Sequence, residues 1–231
     1  VVALAAEMAG ATTAALLGVA ADPVELASAA REAAAGAVRA HVPGLRRVGN
    51  EGSAAAARLA ALLPAEVGFG LSAMLAVAAI NTTVAGVPRA VAWCADSGMW
   101  SDAADPSRRP VLVAELLRVT APTPLLPRAA AADGRIGGRR VRRGDRLLLI
   151  ARHAALSHRR DASCSDPVPA QQARLVFGAG AHACPGAELA RAQLDDLLRL
   201  LAPHRPVVVS ARADRHAALP GWARLVIRAA P

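Results

Sequence analysis

The longest apolar stretch of the chain covers residues 67–98 and is interrupted mainly by Asn81-Thr82-Thr83 and Pro88-Arg89. The residues before it also have helical spacing, over residues 2–8 and 12–19 with a break at Gly10, then over residues 24–42 and 54–63. Asp22-Pro23, Pro43-Gly44 and the polar run 49–53 indicate stops and loops between these segments. A short helix over residues 110–119 follows. The first 121 residues are therefore predicted to be helical.

After Pro122 the pattern changes to short strands separated by tight turns. The strand-like runs are residues 125–128, 135–136, 141 and 147–151, with Asp133-Gly134, Gly137-Gly138 and Gly144-Asp145 between them. An irregular meander follows over residues 153–174, then an amphipathic helix over residues 187–201 and a final hairpin of residues 207–209 and 225–227. We predict one mainly α domain with a small β region, helical over residues 1–121 and mixed over residues 122–231.

The net charge is +9, and all of the basic residues counted in it are arginines, since the sequence has no lysine. Nucleic-acid binding calls for clustered cations with aromatic side chains for base stacking. Here the arginine pairs are scattered in predicted loops and only 2% of residues are aromatic. These observations argue against a nucleic-acid partner and favour a solvated surface, with docking of an acidic electron-donor protein as the alternative.

Three cysteines, an odd number without disulfide-like spacing, indicate a reducing compartment, and we expect a cytoplasmic protein. Residues 1–21 are apolar enough to raise the question of a signal or membrane segment. They contain Glu7, are rich in alanine and glycine, and lack a positive leading region. A packed helix pair, with no membrane partner, is the prediction for this segment.

The sequence FGAGAHACPG, residues 177–186, places one cysteine at the end of a glycine-rich loop. Gly178 and Gly180 permit backbone conformations that a β-carbon would forbid. Cys184 stands directly before Pro185, which fits the first turn of a helix, so that the helix amides would favour a thiolate. A single cysteine thiolate is the iron ligand of oxygen-cleaving haem enzymes. The alternatives are a small buried cysteine or a phosphate-binding loop, although the Gly-Lys-Ser/Thr pattern of phosphate loops is missing.

The loop matches the pattern Phe-Gly-x-Gly-x-His/Arg-x-Cys-x-Gly at Phe177, Gly178, Gly180, His182, Cys184 and Gly186, and AELARAQL follows it as a helix. In these residues the chain resembles the bacterial cytochrome P-450 family of soluble haem-thiolate monooxygenases. The resemblance implies the cytochrome P-450 fold, shortened at the N-terminus. It also implies heme b (iron protoporphyrin IX) bound by these loop residues, with Cys184 as the iron ligand.

A second match is ADPSRRPVLVAELLR, which resembles the family helix carrying Glu-x-x-Arg, here Glu115 and Arg118. Three residues apart on a helix, the two side chains share a face and can pair. The family places an arginine of the meander in the same network, a position that Arg159 or Arg160 could fill. By the same resemblance, Arg128 and His182 are expected to bind the haem propionates, whereas without it each would be an exposed cation.

A third match, AAINTTVAG, resembles the oxygen-binding groove of the family's long central helix. The resemblance implies that Thr82 hydrogen-bonds bound dioxygen or its water and that Ala79 is the small residue opposite iron. Asn81 stands where the family usually has an acid. An amide cannot relay a proton by titrating, so we expect slower or leakier oxygen activation than in a relative with Asp or Glu. Pro88 is expected to bend this helix or to end it.

The resemblance implies a monooxygenase that inserts one oxygen atom of O2 into a small organic substrate, with NAD(P)H electrons delivered by a ferredoxin or flavodoxin. A role in bacterial secondary metabolism is expected. Family members have a further N-terminal segment that contributes sheet strands and covers the haem, and we expect a partner protein to cover that part here. Two alternatives remain, a non-catalytic helper that stabilises a biosynthetic partner enzyme and a peroxide-driven haem oxidase.

Overall fold

The computed structural model describes residues 1–41, 49–64, 69–123 and 125–230. The α-helices in this part of the chain are α1 Val2–Leu17, α2 Pro23–His41, α3 Gly49–Ala61, α4 Phe69–Asp96, α5 Trp100–Ala104, α6 Arg109–Thr120, α7 Ala151–Ala154, α8 Ala170–Ala173 and α9 Ala187–Leu201. Short 3-10 turns cover Arg174–Phe177, Gly180–His182 and Ala202–His204. The strands are β1 Leu126–Ala129, β2 Gly134–Ile136, β3 Arg139–Val141, β4 Arg146–Leu149, β5 Val207–Ala213 and β6 Trp222–Arg228.

Gly10 does not break the first helix, contrary to the prediction. Helix α1 continues through Gly10 and ends at Leu17. The C-cap residue Gly18 has a left-handed backbone (φ +65°), and its amide donates a hydrogen bond to the Ala15 carbonyl, which closes the last turn. A Cβ on Gly10 would lie 1.9 Å from the Pro23 carbonyl oxygen. Gly10 therefore permits close contact between α1 and the start of α2, and this tertiary contact outweighs the low helix propensity of glycine.

Helix α2 begins at the predicted place, because the Asp22 carboxylate accepts a hydrogen bond from the Glu25 amide at 2.8 Å and caps the first turn. The polar run 49–53, predicted as a loop, belongs to α3 instead. Leu59 of α3 is buried in the same core as Leu26 of α2, and burial of this apolar face stabilises the helix despite its polar start. Pro43-Gly44, the other predicted loop signal, lies outside the described residues.

Helix α4 is the central element of the core. Its first half shares a buried cluster with α1, α2 and α3 that includes Ile80 and Val84, and its second half shares another with α6 and α9 that includes Val91 and Cys94. Pro88 lies inside the helix without ending it. The helix is long and apolar enough to cross a membrane by composition, and here 44% of its most apolar window is buried inside the protein. It occupies the position of a core helix between the two clusters.

The strands form three antiparallel pairs in the described part of the chain, β1 with β4, β2 with β3 and β5 with β6. The hairpin predicted from residues 207–209 and 225–227 is the β5–β6 pair. Helix α9 has the predicted bounds, but its N-cap is Gly186, so Pro185 lies in the preceding turn and not in the first helical turn. The mainly α architecture with a small β region is confirmed.

Candidate functional site

The loop before α9 is closed by a backbone hydrogen bond and shaped by two glycines. The Cys184 amide donates to the Phe177 carbonyl at 2.8 Å. Gly178 and Gly180 both have positive φ, +77° and +73°, which side-chain-bearing residues rarely adopt. A Cβ on Gly178 would also lie 3.6 Å from the His182 carbonyl oxygen. The loop therefore requires glycine at both positions to present Cys184 in this conformation.

Cys184 is the exposed cysteine of the three, and it is in no disulfide. Cys94 is fully buried, and burial, with the nearby Asp102 charge and Cys164, raises its pKa to about 12. Burial, followed by the charge of Asp102, raises the pKa of Cys164 to about 11. Both of these thiols stay protonated at neutral pH. Cys184 is therefore the thiol whose sulfur a ligand can reach.

The ring of Phe177 fixes the loop against α9. The Arg191 guanidinium lies 5.2 Å from the ring centroid, a distance typical of a cation–π contact. Arg191 also pairs with Glu188 at 2.6 Å. A cavity of about 250 Å³ lies beside this contact and is lined by Ala114, Ala170, Ala173, Arg174, Phe177, Glu188 and Arg191. These contacts hold the loop from the side of α6, α8 and α9.

An apolar stripe on α4 is open to solvent along its first three turns. Leu71, Met74 and Leu75 are exposed, by 51%, 58% and 36%. Ala78 continues the stripe, followed by Thr82, which is half-buried. The helical spacing of three and four residues places these side chains on one face. An open apolar face of this length on a core helix is suited to cover a large apolar ligand.

The hydroxyl of Thr82 donates to the Ala78 carbonyl at 2.8 Å, one turn back along the helix. Its oxygen keeps acceptor capacity toward a further partner, because a hydroxyl has one proton and two lone pairs. Ala79, which the family resemblance predicts to lie opposite iron, is half-buried, and its carbonyl lies 3.5 Å from the same hydroxyl. The Thr82 hydroxyl and the carbonyls of Ala78 and Ala79 therefore form a small polar group within the apolar stripe.

The side chain of Asn81 forms its hydrogen bonds with the backbone of α2 and α4. Its amide nitrogen donates to the Val77 carbonyl at 2.9 Å and to the Ala30 carbonyl of α2 at 3.3 Å, and only 9% of the residue is exposed. It also lines a cavity of about 10 Å³ together with Arg31 and Asp214, which pair at 3.2 Å. Sequence reasoning missed Arg31 and Asp214, since both lie far from Asn81 along the chain and on other elements. The side chain of Asn81 thus links α4 to α2.

Glu115 and Arg118 form a fully buried ion pair. Arg118 donates from Nε and Nη2 to the two carboxylate oxygens at 3.0 and 2.7 Å. Glu115 also accepts from the backbone amides of Ser163 and Val168, each at 3.2 Å. The remaining donors of Arg118 bond to backbone carbonyls of the meander, those of Ala155, Leu156, Arg160 and Asp161. Every charge-bearing atom of the pair therefore has a partner.

No arginine side chain of the meander completes this network. Arg160 contributes its backbone carbonyl at 3.0 Å, while its guanidinium pairs with Asp166 at 2.5 Å. Arg159 is exposed. The expected third member is replaced by main-chain groups because the turn over residues 155–161 brings its carbonyls directly onto Arg118.

The side chains of Arg128 and His182 are both exposed. Arg128 stands on β1 opposite Leu147 of β4, and its guanidinium donates to the carbonyl of Pro127 at 2.9 Å. In the part of the chain that the structure describes, neither side chain has a carboxylate partner within 4 Å. Each remains available to an anionic group of a ligand.

The donor set fits a haem better than a protein-ligated metal ion. Within the described ranges, no three His, Cys, Asp or Glu side chains stand together in a metal-binding group. A zinc site would need three or four such ligands, whereas a haem iron takes one cysteine from the protein and its other in-plane ligands from the porphyrin. An exposed cysteine thiol and an open apolar helix face are the kinds of group that a thiolate-ligated haem contacts, and Cys184 and the stripe on α4 are of these kinds.

Comparison with known proteins gives relatives of one kind, although no family model matches the chain. The chain is 32% identical over 135 residues to "Putative cytochrome P450 140" of Mycobacterium tuberculosis, which covers 54% of this chain and 30% of the relative. It is 36% identical over 104 residues to "Cytochrome P450-terp" of a Pseudomonas species, covering 43% of this chain and 24% of the relative. The aligned parts therefore span less than a third of these relatives.

Solved structures match almost the whole chain. The CYP164A2 protein of Mycobacterium smegmatis, crystallised with econazole, superimposes with a TM-score of 0.74 at 25% identity, over 97% of this chain and 66% of that protein. P450BioI in complex with an acyl carrier protein superimposes with a TM-score of 0.76 at 20% identity, over 97% of this chain and 66% of that protein. At this identity the likeness shows a shared fold alone. This fold, these sequence relatives and the cysteine loop together support membership of the chain in the cytochrome P450 superfamily.

Proposed function

We propose that this chain carries the iron-ligating part of a haem-thiolate monooxygenase that inserts one oxygen atom of O2 into a small organic substrate. The observation that carries the proposal is the exposed, unpaired thiol of Cys184 in a loop held by Gly178, Gly180 and the Phe177 carbonyl. A loop that needs two left-handed glycines to present one accessible sulfur is suited to ligate a metal through that sulfur.

Each site residue has a proposed role that its position supports. The Cys184 thiolate binds iron, Phe177 and the glycines at 178, 180 and 186 shape the loop, and a Cβ on Gly186 would lie 3.8 Å from the cysteine sulfur. When bound, heme b supplies the activation of O2 and the transfer of oxygen. The exposed Arg128 and His182 hold its propionates through charge-assisted hydrogen bonds.

Thr82 is the proposed proton-handling residue on the apolar side. Its hydroxyl is fixed by the Ala78 carbonyl at 2.8 Å and can accept or pass on a proton at Oγ1. Ala79 leaves space beside it. Asn81 cannot titrate, and its amide is held by two backbone carbonyls, so proton delivery to this face relies on water or on the substrate.

The partners proposed are those of a soluble bacterial oxygenase. Electrons from NAD(P)H arrive through a ferredoxin or flavodoxin, and the arginine-rich surface gives an acidic donor protein complementary charge. We further propose a cytoplasmic location and a substrate from secondary metabolism. A partner polypeptide that covers the apolar stripe of α4 completes the haem pocket.

A peroxide-driven oxidase is the second candidate, and the engagement of Asn81 with α2 favours it. Oxidation by peroxide does not need the proton relay that an acid at position 81 would supply. A non-catalytic helper protein is the third, supported by the openness of the α4 stripe. The exposed thiol of Cys184 argues against the helper, because a protein with only a structural role has no use for an accessible iron ligand.

Isotope labelling separates these candidates. The haem-loaded protein is supplied with NADPH, ferredoxin and ferredoxin reductase under ¹⁸O2, and a panel of small apolar compounds is searched by mass spectrometry for products with one ¹⁸O atom. The monooxygenase proposal predicts ¹⁸O in the product and none in Cys184→Ala. Product only when H2O2 replaces the electron donors supports the peroxide-driven oxidase, and no product under either condition supports the helper.

A further inference from the structure

Two arginines outside the proposed haem site meet at the C-terminal end of α6. Arg152 of α7 donates from Nη2 to the Val119 carbonyl in the last turn of α6, at 3.1 Å. Arg89 lies on α4, one turn beyond Gly86, where an added Cβ would be 3.7 Å from the Pro122 side chain. Arg89 and Arg152 therefore both lie near the end of α6, close enough for the charge of Arg152 to act on Arg89.

Both guanidinium groups keep buried donors without acceptors. Nη1 of Arg89 and Nε of Arg152 are shielded from solvent and have no hydrogen-bond partner. Neither side chain takes part in any ion pair found across the described segments. Each residue is only half-buried, so part of each side chain is open to solvent although these two donor atoms are covered. A ligand can therefore reach the exposed part of each side chain, and a small shift of the guanidinium groups would bring the covered donors onto it.

The surroundings are cationic. Desolvation lowers the pKa of Arg89, and the charge of Arg152 lowers it further. Desolvation lowers the pKa of Arg152 as well. His158 stands beside Arg152, and its pKa is lowered by desolvation and then by the charges of Arg152 and His153, whose ring lies 5.1 Å away edge-on. No carboxylate contributes to any of these shifts.

This arrangement is unfavourable unless an anion completes it. A guanidinium group stays protonated in proteins, so it cannot escape burial by losing its charge. An unpaired buried charge is strongly destabilising, and two of them repel each other. The dipole at the end of α6 offsets part of this cost for Arg152 only. Two guanidinium forks with free N–H groups match the oxygens of a carboxylate or phosphate group.

The cationic pair is held in place by the Glu115–Arg118 ion pair. Arg118 binds the carbonyls of Ala155 and Leu156 at 3.4 and 3.2 Å, and the Ser157 hydroxyl donates to the Arg118 carbonyl at 2.6 Å. Leu156 has a left-handed backbone, φ +55°, an unusual conformation for leucine. The turn between Arg152 and His158 is thus fixed by buried bonds before any ligand arrives.

We infer that Arg89 and Arg152, with His158 beside them, form a binding site for an oxyanion, the carboxylate or phosphate group of a small ligand. None of these three residues belongs to the cysteine loop or to the pair proposed to bind the haem propionates. The site does not depend on the proposed oxygenase function. Its two sources of ligand are free inorganic phosphate and the carboxylate of an organic molecule.

The test titrates the full chain, as purified, with sodium phosphate and separately with sodium acetate, at constant ionic strength kept with sodium chloride. Binding is followed by calorimetry and by the melting temperature. The inference predicts saturable heat and a rising melting temperature with at least one of the two anions. Saturation by phosphate alone points to a free oxyanion as the ligand, and saturation by acetate to an organic carboxylate.

Three variants locate the site. Arg89→Gln and Arg152→Gln are expected to weaken anion binding about tenfold or more, since each loses charge-assisted hydrogen bonds. The matched control Arg159→Gln removes an exposed arginine from the same turn and is expected to change binding less than about twofold. The two glutamine variants should melt no lower than the unsubstituted protein in chloride alone, because each removes an uncompensated buried charge.

The inference is overturned if neither anion gives saturable binding beyond chloride, or if Arg159→Gln weakens binding as much as Arg152→Gln. If a glutamine variant fails to fold, a crystal of the unsubstituted protein grown with phosphate or acetate decides the question. An anion bridging Arg89 Nη1 and Arg152 Nε supports the inference, and only water at those atoms overturns it.

Discussion

Arg118 Nη2 lies 2.7 Å from Glu115 Oε2, and the two side chains expose 0% and 2% of their surface. Their remaining hydrogen bonds all go to the main chain between Ala155 and Val168. This pair therefore holds the irregular meander onto α6. The meander leads directly into the loop that presents Cys184. The ion pair therefore holds in place the segment from which the loop of the proposed iron ligand begins.

Replacing Glu115 by glutamine is expected to lower the free energy of unfolding by about 3–5 kcal/mol, because it leaves the Arg118 charge buried without its counterion. Urea denaturation followed by circular dichroism measures this. The matched control is Glu188→Gln on α9, whose carboxylate pairs with Arg191 at 2.6 Å but is 75% exposed. That variant is expected to lose only ~0–1 kcal/mol. Equal losses in the two variants would contradict the structural role given to Glu115.

Replacing Asn81 by aspartate removes the donor that bonds to the carbonyls of Ala30 and Val77. We expect a loss of about 1–3 kcal/mol in the free energy of unfolding, the typical cost of leaving a buried polar group without its partner. In the haem-loaded protein the new carboxyl restores a titrating group, so peroxide released per NAD(P)H consumed should fall. Asn81→Ala is the control for stability. Equal peroxide yields in Asn81→Asp and the unsubstituted protein would remove the proton-relay explanation.

Periodicity predicted the elements that are stabilised locally, and missed features that depend on tertiary contacts. The bounds of α9 were predictable from its amphipathic spacing, and the start of α2 from Asp22-Pro23. The break predicted at Gly10 was wrong because the glycine serves contact with Pro23, which no local pattern shows. The loop predicted over residues 49–53 was wrong because burial of Leu59 stabilises the helix that contains it.

Iodoacetamide at neutral pH is expected to modify Cys184 well before the other cysteines. Cys94 is buried, and burial keeps its pKa and that of Cys164 at about 12 and 11, so neither presents a thiolate. Peptide mass spectrometry gives the order of modification. Prior loading with haem should protect Cys184 and leave the slow labelling of Cys164 unchanged. Unchanged labelling of Cys184 with haem bound would mean that its sulfur is not the iron ligand.

Stability is expected to fall at alkaline pH through Cys94. Its pKa is about 12 in the folded state against 9.0 for an unperturbed thiol, so above pH 9 the unfolded chain loses a proton that the folded chain keeps. The free energy of unfolding therefore decreases as pH rises from 9 toward 12, by about 1.4 kcal/mol per pH unit for one thiol. Cys164 contributes in the same direction, less strongly because it is only half-buried.

The composition of the chain allows a loss of stability at alkaline pH to be assigned to cysteine. The sequence has no Lys and no Tyr, so cysteines are the main side chains that titrate between pH 9 and 11. Urea denaturation at several pH values in that window gives the slope. Cys94→Ala should make the slope clearly shallower, and the slope that remains should come from Cys164. A slope that does not change in Cys94→Ala would show that this thiol is not the source of the alkaline loss.

The spacing of the cysteine loop predicts which of its residues belong to the candidate site. It does not predict which other groups surround the site residues. The glycine positions and Cys184 form a contiguous motif, and the structure gives Gly178 and Gly180 the positive φ expected of them. The orientation of Asn81 toward α2 could not be predicted, because it depends on the packing of α4 against α2. For the same reason, the sequence could not predict the main-chain acceptors around Arg118 or the proximity of Arg89 to Arg152.

The central claim is that the sulfur of Cys184 ligates a haem iron. The most direct measurement is the difference spectrum of the dithionite-reduced, haem-loaded protein with and without carbon monoxide, recorded in parallel for Cys184→Ala and Cys164→Ala. The account predicts the red-shifted Soret band of thiolate-ligated haem in the unsubstituted protein and in Cys164→Ala, and its loss in Cys184→Ala. The same red-shifted band in Cys184→Ala, or no such band in the unsubstituted protein with haem bound, would contradict it.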